Sequence, residues 1–279
     1  MLPVYIVDAF AERAFTGNPA GVIPQADNLT DESMQRIAAE LRCSETAFIL
    51  DSNAADMKVR FFSPIREVDL CGHATIATFH VLATTTELPT RVMMETRAGV
   101  MPIEIRSGAV YMQQTKPAFR SVDVDTAALA DAFDIDENTI ADLPIEAAST
   151  GLWSLNVPLT SRTAMEYIHP DFADIEDICI ENDVGAIFAF TFDTVDEKNM
   201  VHSRCFAPRY GINEDPVTGT ANGALGAYLR RHDLLESMQY TAEQGYELGR
   251  PGLVHVDVSD SKVWVGGSAV ITVSGHLNM

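Results

Sequence analysis

Apolar and polar positions alternate along the chain with two different periods, and the switches between them mark the elements. Residues 4–10 are β-branched and aromatic and predict a strand. Thr16-Gly17-Asn18-Pro19-Ala20-Gly21 follows, and its Gly, Asn and Pro content predicts a tight turn. Met34, Ile37, Ala38 and Leu41 fall at helical spacing after a capping signal at Thr30. Strand-like runs return at 46–50 and 57–62. Gly72 then opens a stretch with Ile76, Phe79 and Leu82 on one face, the pattern of a buried helix. Strands are predicted at 91–96, 101–106 and 110–114, a linker at 116–124 and a helix at 126–133. Further strands are predicted at 152–159, 184–192 and 200–206, and a second apolar helix at 220–231. The tail alternates at 254–258, 262–267 and 269–274 like antiparallel strands.

One phrase occurs twice. Arg60-Phe61-Phe62-Ser63-Pro64 returns as Arg204-Cys205-Phe206-Ala207-Pro208, and each copy runs through an acidic turn into a glycine that opens an apolar helix. A duplicated unit follows from this. It divides the chain into residues 1–118 and 119–279, with the last strand expected to be able to pack back on the first half. Many strands and one strongly apolar helix in each half predict an α+β fold, two pseudo-symmetric sheets curled around central helices with a cleft between the halves.

Charge narrows the partners. The 279 residues carry 40 acidic against 19 basic side chains, a formal net charge of −21. Nucleic acid and anionic membrane surfaces are therefore excluded as partners. Only four basic residues are lysines, a composition suited to a high-salt cytoplasm. The N-terminus has no basic region followed by an apolar run, and no stretch predicts a membrane span. Cys43, Cys71, Cys179 and Cys205 lack CxxC spacing, which predicts reduced thiols in a cytoplasmic protein.

The chemistry-bearing residues gather at the repeated turns. A glycine opening a helix leaves backbone N–H groups unpaired at the positive end of the dipole, where a carboxylate or a developing negative charge is stabilised. Gly72-His73 and Gly219-Thr220 predict two such ends. Asp215 precedes the second, and His73 stands beside Cys71 at the first. Glu45, where a helix passes into an apolar strand, becomes a workable acid/base if it is buried. His80 lies seven residues after His73 with no carboxylate or second histidine at ligand spacing, so no metal site is predicted. No GxGxxG, Walker loop or GxSxG elbow is present, leaving nucleotide-cofactor and serine-hydrolase chemistry without support. Carboxylates, one histidine and two helix ends suit moving a proton on a small anionic molecule.

At these residues the chain resembles the PhzF-like family of phenazine-biosynthesis isomerases, relatives of diaminopimelate epimerase. The motifs are Val7-Asp8-Ala9-Phe10, Phe15-Thr16-Gly17-Asn18-Pro19-Ala20-Gly21-Val22, Ser44-Glu45-Thr46-Ala47-Phe48, Leu70-Cys71-Gly72-His73-Ala74-Thr75 and Glu214-Asp215-Pro216-Val217-Thr218-Gly219-Thr220-Ala221. The resemblance implies a homodimeric, cofactor-independent isomerase, each half a β-barrel-like sheet around a central helix. It implies catalytic roles for Glu45, His73 and Asp215, with Asn18, Cys71, Gly72, Gly219 and Thr220 contacting substrate. Thr220 replaces the serine usual in the last motif. Thr218 in place of a second cysteine speaks against a two-thiol racemase. An amino-acid racemase or epimerase, or a ligand-binding homologue without activity, are the alternative readings.

Overall fold

The computed structural model describes residues 1–259 and 261–278. In chain order the elements are β1 (Leu2–Ala9), β2 (Asn18–Ile23), α1 (Asp31–Leu41), β3 (Glu45–Leu50), β4 (Met57–Phe62), β5 (Glu67–Val68), α2 (Gly72–Thr85), β6 (Arg91–Thr96), β7 (Gly99–Arg106) and β8 (Ala109–Gln113). Then come β9 (Ala118–Ser121), α3 (Thr126–Phe133), β10 (Glu146–Ser149), β11 (Trp153–Pro158), α4 (Arg162–Glu166), α5 (Phe172–Glu181), β12 (Ala186–Thr191), β13 (Val201–Ala207) and β14 (Ile212–Asp215). The last are α6 (Gly219–Arg231), β15 (Gln239–Gln244), β16 (Gly252–Asp257), β17 (Trp264–Gly267) and β18 (Ala269–Leu277). The class is α+β. Contacts group the residues into two units: Met1–Gln113 with the chain from Gly266 onward, and Gln114–Val265.

In the first unit β1 pairs antiparallel with both β2 and β18, and β2 runs parallel to β3 with α1 as the crossover. β3 pairs antiparallel with β4, which pairs antiparallel with β5 and parallel with β6. α2 is apolar all round, and a helix of that kind must be enclosed. It packs on β1, β2, β3, β8 and β18, burying Ile76, Phe79, Val81 and Leu82. Thr75 and Thr78 are buried too, each donating its hydroxyl to the carbonyl four residues earlier, Cys71 and Ala74, at 2.7 Å. α1 begins as its capping residue requires: Thr30 is extended and its hydroxyl accepts from Ser33 N–H.

The second unit repeats the order. β10 pairs with β11 and with β9, β11 runs parallel to β12, β12 antiparallel to β13, and β13 pairs with β14 and lies parallel to β15. α6 is the enclosed helix, packed on β10, β11 and β16. One helix was expected in this half, but α3, α4 and α5 form an added layer. Leu129, Phe133, Met165, Ile175 and Cys179 close with Ile187 and Phe206 of the sheet into a second core. The expected linker at 116–124 contains β9, ordered by its ladder with β10. The expected turn at Asn18 is already strand, because β2 is paired on both sides, and that outweighs local turn propensity.

Candidate functional site

The first turn of α2 and the start of β3 bring three chemistry-bearing side chains together. Cys71 is the N-cap of α2, in extended conformation, and its side chain makes no capping hydrogen bond. The thiol instead donates to Glu45 Oε2 at 3.5 Å and lies 3.4 Å from His73 Nδ1. His73 Nε2 is 3.3 Å from Glu45 Oε2 and 3.0 Å from Ser44 Oγ. The cluster is nearly closed to water: His73 and Glu45 side chains are 9% and 14% exposed. Burial raises the Glu45 pKa above the ordinary carboxylate range, against the hydrogen bonds from Cys71 and Ser44, which lower it. A carboxyl group moved toward neutrality beside a thiol and an imidazole has the properties of an acid/base.

The fold fixes this grouping. Glu45 is the first residue of β3, paired with Ala20 of β2, and Asn18 lies two residues earlier on that neighbouring strand, buried beside Ala9 of β1. Gly72 and His73 follow Cys71 in the first turn of α2, which carries no acidic residue to compensate its dipole. Spacing around His73 predicted no set of metal ligands. Glu45 arrives from another element, and Glu45, Cys71 and His73 present one carboxylate, one thiol and one imidazole within metal-ligand reach of one another.

Asp215, Gly219 and Thr220 belong to the second unit and form a group of their own. Thr218 is the N-cap of α6, again with no capping hydrogen bond from its side chain. Its hydroxyl donates to Asp215 Oδ2 at 2.5 Å. Gln244 holds this turn. Its Oε1 accepts from Thr218 N–H and Asn222 Nδ2, both at 3.0 Å, while its Nε2 donates to the Asp215 carbonyl and to Thr218 Oγ1. Sequence reasoning missed Gln244, Asn222 and Ser44 as members of these groups. The signal for Gln244 was the glycine after it: Gly245 has φ +87° and sits where a Cβ would meet the carbonyls of Pro216 and Arg250 at 2.5 Å.

Ladder register relates the two groups. Thr46 faces Phe62 and Ile187 faces Phe206, so the counterpart of Glu45 is Ala186. Val68 faces Phe61 and Asp215 faces Cys205, so the counterpart of Asp215 is Val68. Cys71 corresponds to Thr218 and His73 to Thr220. Each unit thus carries its acid where the other has an apolar residue. Gly185 stands in the place of Ser44, and a Cβ there would meet the Tyr210 ring at 2.4 Å.

The comparisons with known proteins decide the family. The model of the phenazine biosynthesis-like proteins, PhzC-PhzF, matches residues 7–275. The chain belongs to this family. It is 37% identical over 276 residues to the uncharacterized isomerase YfhB of Bacillus subtilis, covering 96% of this chain and 93% of that protein. It is 34% identical to the trans-2,3-dihydro-3-hydroxyanthranilate isomerase of Pseudomonas chlororaphis, covering 89% of this chain and 87% of the relative. A PhzF-family crystal structure from Bacillus anthracis superposes with TM-score 0.91 at 34% identity, covering 100% of this chain and 99% of that one. A hydroxyproline epimerase from Agrobacterium vitis, 12% identical with TM-score 0.63 over 98% and 91% of the two chains, shares the fold. The PhzF-like chain is thus an enzyme of the isomerase class with a diaminopimelate epimerase-like fold. Among its described residues no helix is long and apolar enough to cross a membrane.

Proposed function

We propose that this PhzF-like enzyme moves a proton on a small carboxylate-bearing substrate with Glu45 as the general acid/base. The observation that carries the reading is the buried Glu45 carboxyl group in contact with Cys71 and His73 at the start of α2. Glu45 removes a proton from carbon activated by a conjugated carboxylate and returns it elsewhere on the same face. His73 and Asp215 hold and polarise substituents of the substrate. Backbone N–H groups at Gly72-His73 and Gly219-Thr220 receive the carboxylate and the negative charge that develops as the proton leaves. Asn18 and Cys71 complete the contacts. The steps use side chains and backbone alone and draw on no cofactor.

Thr218 in the position of Cys71 favours a one-base transfer over a two-thiol racemisation. Trans-2,3-dihydro-3-hydroxyanthranilate, named for the Pseudomonas relative, is the first compound to assay, followed by other cyclic and aromatic carboxylates. With a substrate in hand, Glu45→Gln should cut turnover by about 10²–10⁴-fold, with circular dichroism and melting temperature showing an intact fold. A Glu45→Gln enzyme of normal turnover overturns the assignment. Loss of optical activity with solvent deuterium at the α-carbon would instead identify an epimerase.

A further inference from the structure

We propose that Glu45, Cys71 and His73 also form a binding site for zinc, and that the cation takes the place of the transferred proton and silences the enzyme. Thiolate, imidazole and carboxylate are the three ligand types that zinc takes from proteins. Calcium and magnesium call for oxygen ligands and do not fit this set. Distance decides the rest. A tetrahedral zinc with bonds of about 2.0–2.1 Å to nitrogen and oxygen and about 2.3 Å to sulfur holds its donor atoms roughly 3.3–3.6 Å apart. Here Nε2 of His73 is 3.3 Å from Oε2 of Glu45, Sγ of Cys71 is 3.5 Å from the same oxygen, and Sγ lies 3.8 Å from Nε2. No pair departs from the tetrahedral spacing by more than about 0.2 Å, the tolerance of a workable site.

The donors are also held in place before any cation arrives. Glu45 is fixed by the first β3 ladder pair, and Cys71 and His73 by the first turn of α2. Three protein ligands leave a fourth position for water, as in catalytic and inhibitory zinc sites rather than structural ones. The positive end of α2 opposes a dication with only about half a unit charge, and the thiolate and carboxylate supply two full negative charges. Binding releases the thiol proton to solvent as the Zn–S bond forms. The His73 contact with Ser44 Oγ gives way, since Nε2 is then a ligand. This inference deepens the reading of Glu45 as acid/base and rests on it for the inhibition, although the binding itself is read without turnover.

The experiment uses the full chain, freed of metal with EDTA and gel-filtered. Titration with Co²⁺ should give thiolate-to-cobalt charge transfer in the near ultraviolet and d–d bands of tetrahedral intensity, saturating at one equivalent. Zn²⁺ should then displace the cobalt, in keeping with its higher place in the divalent affinity order. Cys71→Ser should abolish the charge-transfer band and weaken zinc binding by at least about 10–100-fold, the loss typical even of an outer-shell partner. Cys43→Ser should leave both unchanged. No band at one equivalent, or a band that survives Cys71→Ser, overturns the site. Should Cys71→Ser fail to fold, Glu45→Gln must weaken zinc binding comparably, and unchanged affinity overturns it. Metal-free protein that turns over and is silenced by one equivalent of zinc supports both readings. Inactive metal-free protein with the expected cobalt spectrum keeps the zinc site and overturns the isomerase reading.

Discussion

His202 is fully buried between two carboxylates, its Nδ1 2.9 Å from Glu243 Oε1 and its Nε2 2.8 Å from Glu247 Oε1. Burial alone would lower its pKa, but the hydrogen bonds to Glu243 and Glu247 outweigh burial and raise it to about 9. Glu243 also accepts from the Val195 and Asp196 N–H groups and from Asn199 Nδ2, so the charged pair ties the 195–199 segment to β15. The folded pKa lies above the ordinary histidine value of about 6.5. The contribution of the imidazolium is therefore complete below about pH 6.5 and is lost as pH rises through about 9. The melting temperature of the wild-type protein should fall on going from about pH 7 to about pH 10. His202→Gln should lose that alkaline dependence. At neutral pH it should cost about 3–5 kcal/mol, because two carboxylates are left buried without their cation. Urea unfolding at pH 7 with melting curves across the pH range checks both, and a wild-type profile that stays flat above pH 8 rejects the account.

Between elements, the repeated phrase turns out to be a repeated ion pair. Arg60 grips Glu67 with Nε and Nη2 at 2.7 and 2.9 Å, and Arg204 grips Glu214 with the same atoms at 2.8 and 2.9 Å. Each guanidinium also lies over the phenylalanine two residues on, Phe62 or Phe206, about 5 Å from the ring centroid. The two pairs differ in burial. Arg204 and Glu214 are 6% and 8% exposed, and Arg204 also donates to the carbonyls of Met165 and Ile168 beyond α4. Arg60 reaches out to exposed Asp31, and Glu67 keeps Arg97 as a second partner. Arg204→Met should thus cost about 3–5 kcal/mol and Arg60→Met a smaller amount, roughly 1–2 kcal/mol. Equal losses in chemical denaturation would reject the distinction. The duplicated phrase, the two central helices and the strands at 57–62 and 91–96 were legible in the sequence because each is written in local periodicity. β9 was not, since Ala118–Ser121 is half exposed and becomes a strand only through β10. α4 and α5 escaped because their apolar residues are few and one-sided. The site was legible in its members, through the family motifs, but not in its geometry. The contact of Glu45 with His73 is long-range, and no spacing rule near either residue announces it.

On the scale of the whole molecule, the excess of carboxylates has an energetic consequence that none of the individual pairs reveals. Several ion pairs are substantially exposed, among them Arg36–Glu32, and pairs of this kind are worth only about 0–1 kcal/mol each. Salt screens those attractions and the repulsion among the unpaired acids alike. With 40 acidic against 19 basic residues the repulsion has more members, so screening should stabilise the folded state. The Debye length falls from about 10 Å at 0.1 M to about 3 Å at 1 M salt. The melting temperature should therefore rise by several degrees as KCl goes from about 0.1 M to about 1 M, and most of the gain should be complete by then. NaCl should act the same way, because screening depends on ionic strength rather than on ion identity. A gain that continues in proportion to salt well beyond 1 M would point to exclusion of salt from the protein surface instead. A melting temperature that is indifferent to salt, or falls with it, would mean that the acidic excess is spread widely enough for its repulsion to be negligible. The high-salt reading of the composition would then be rejected as well.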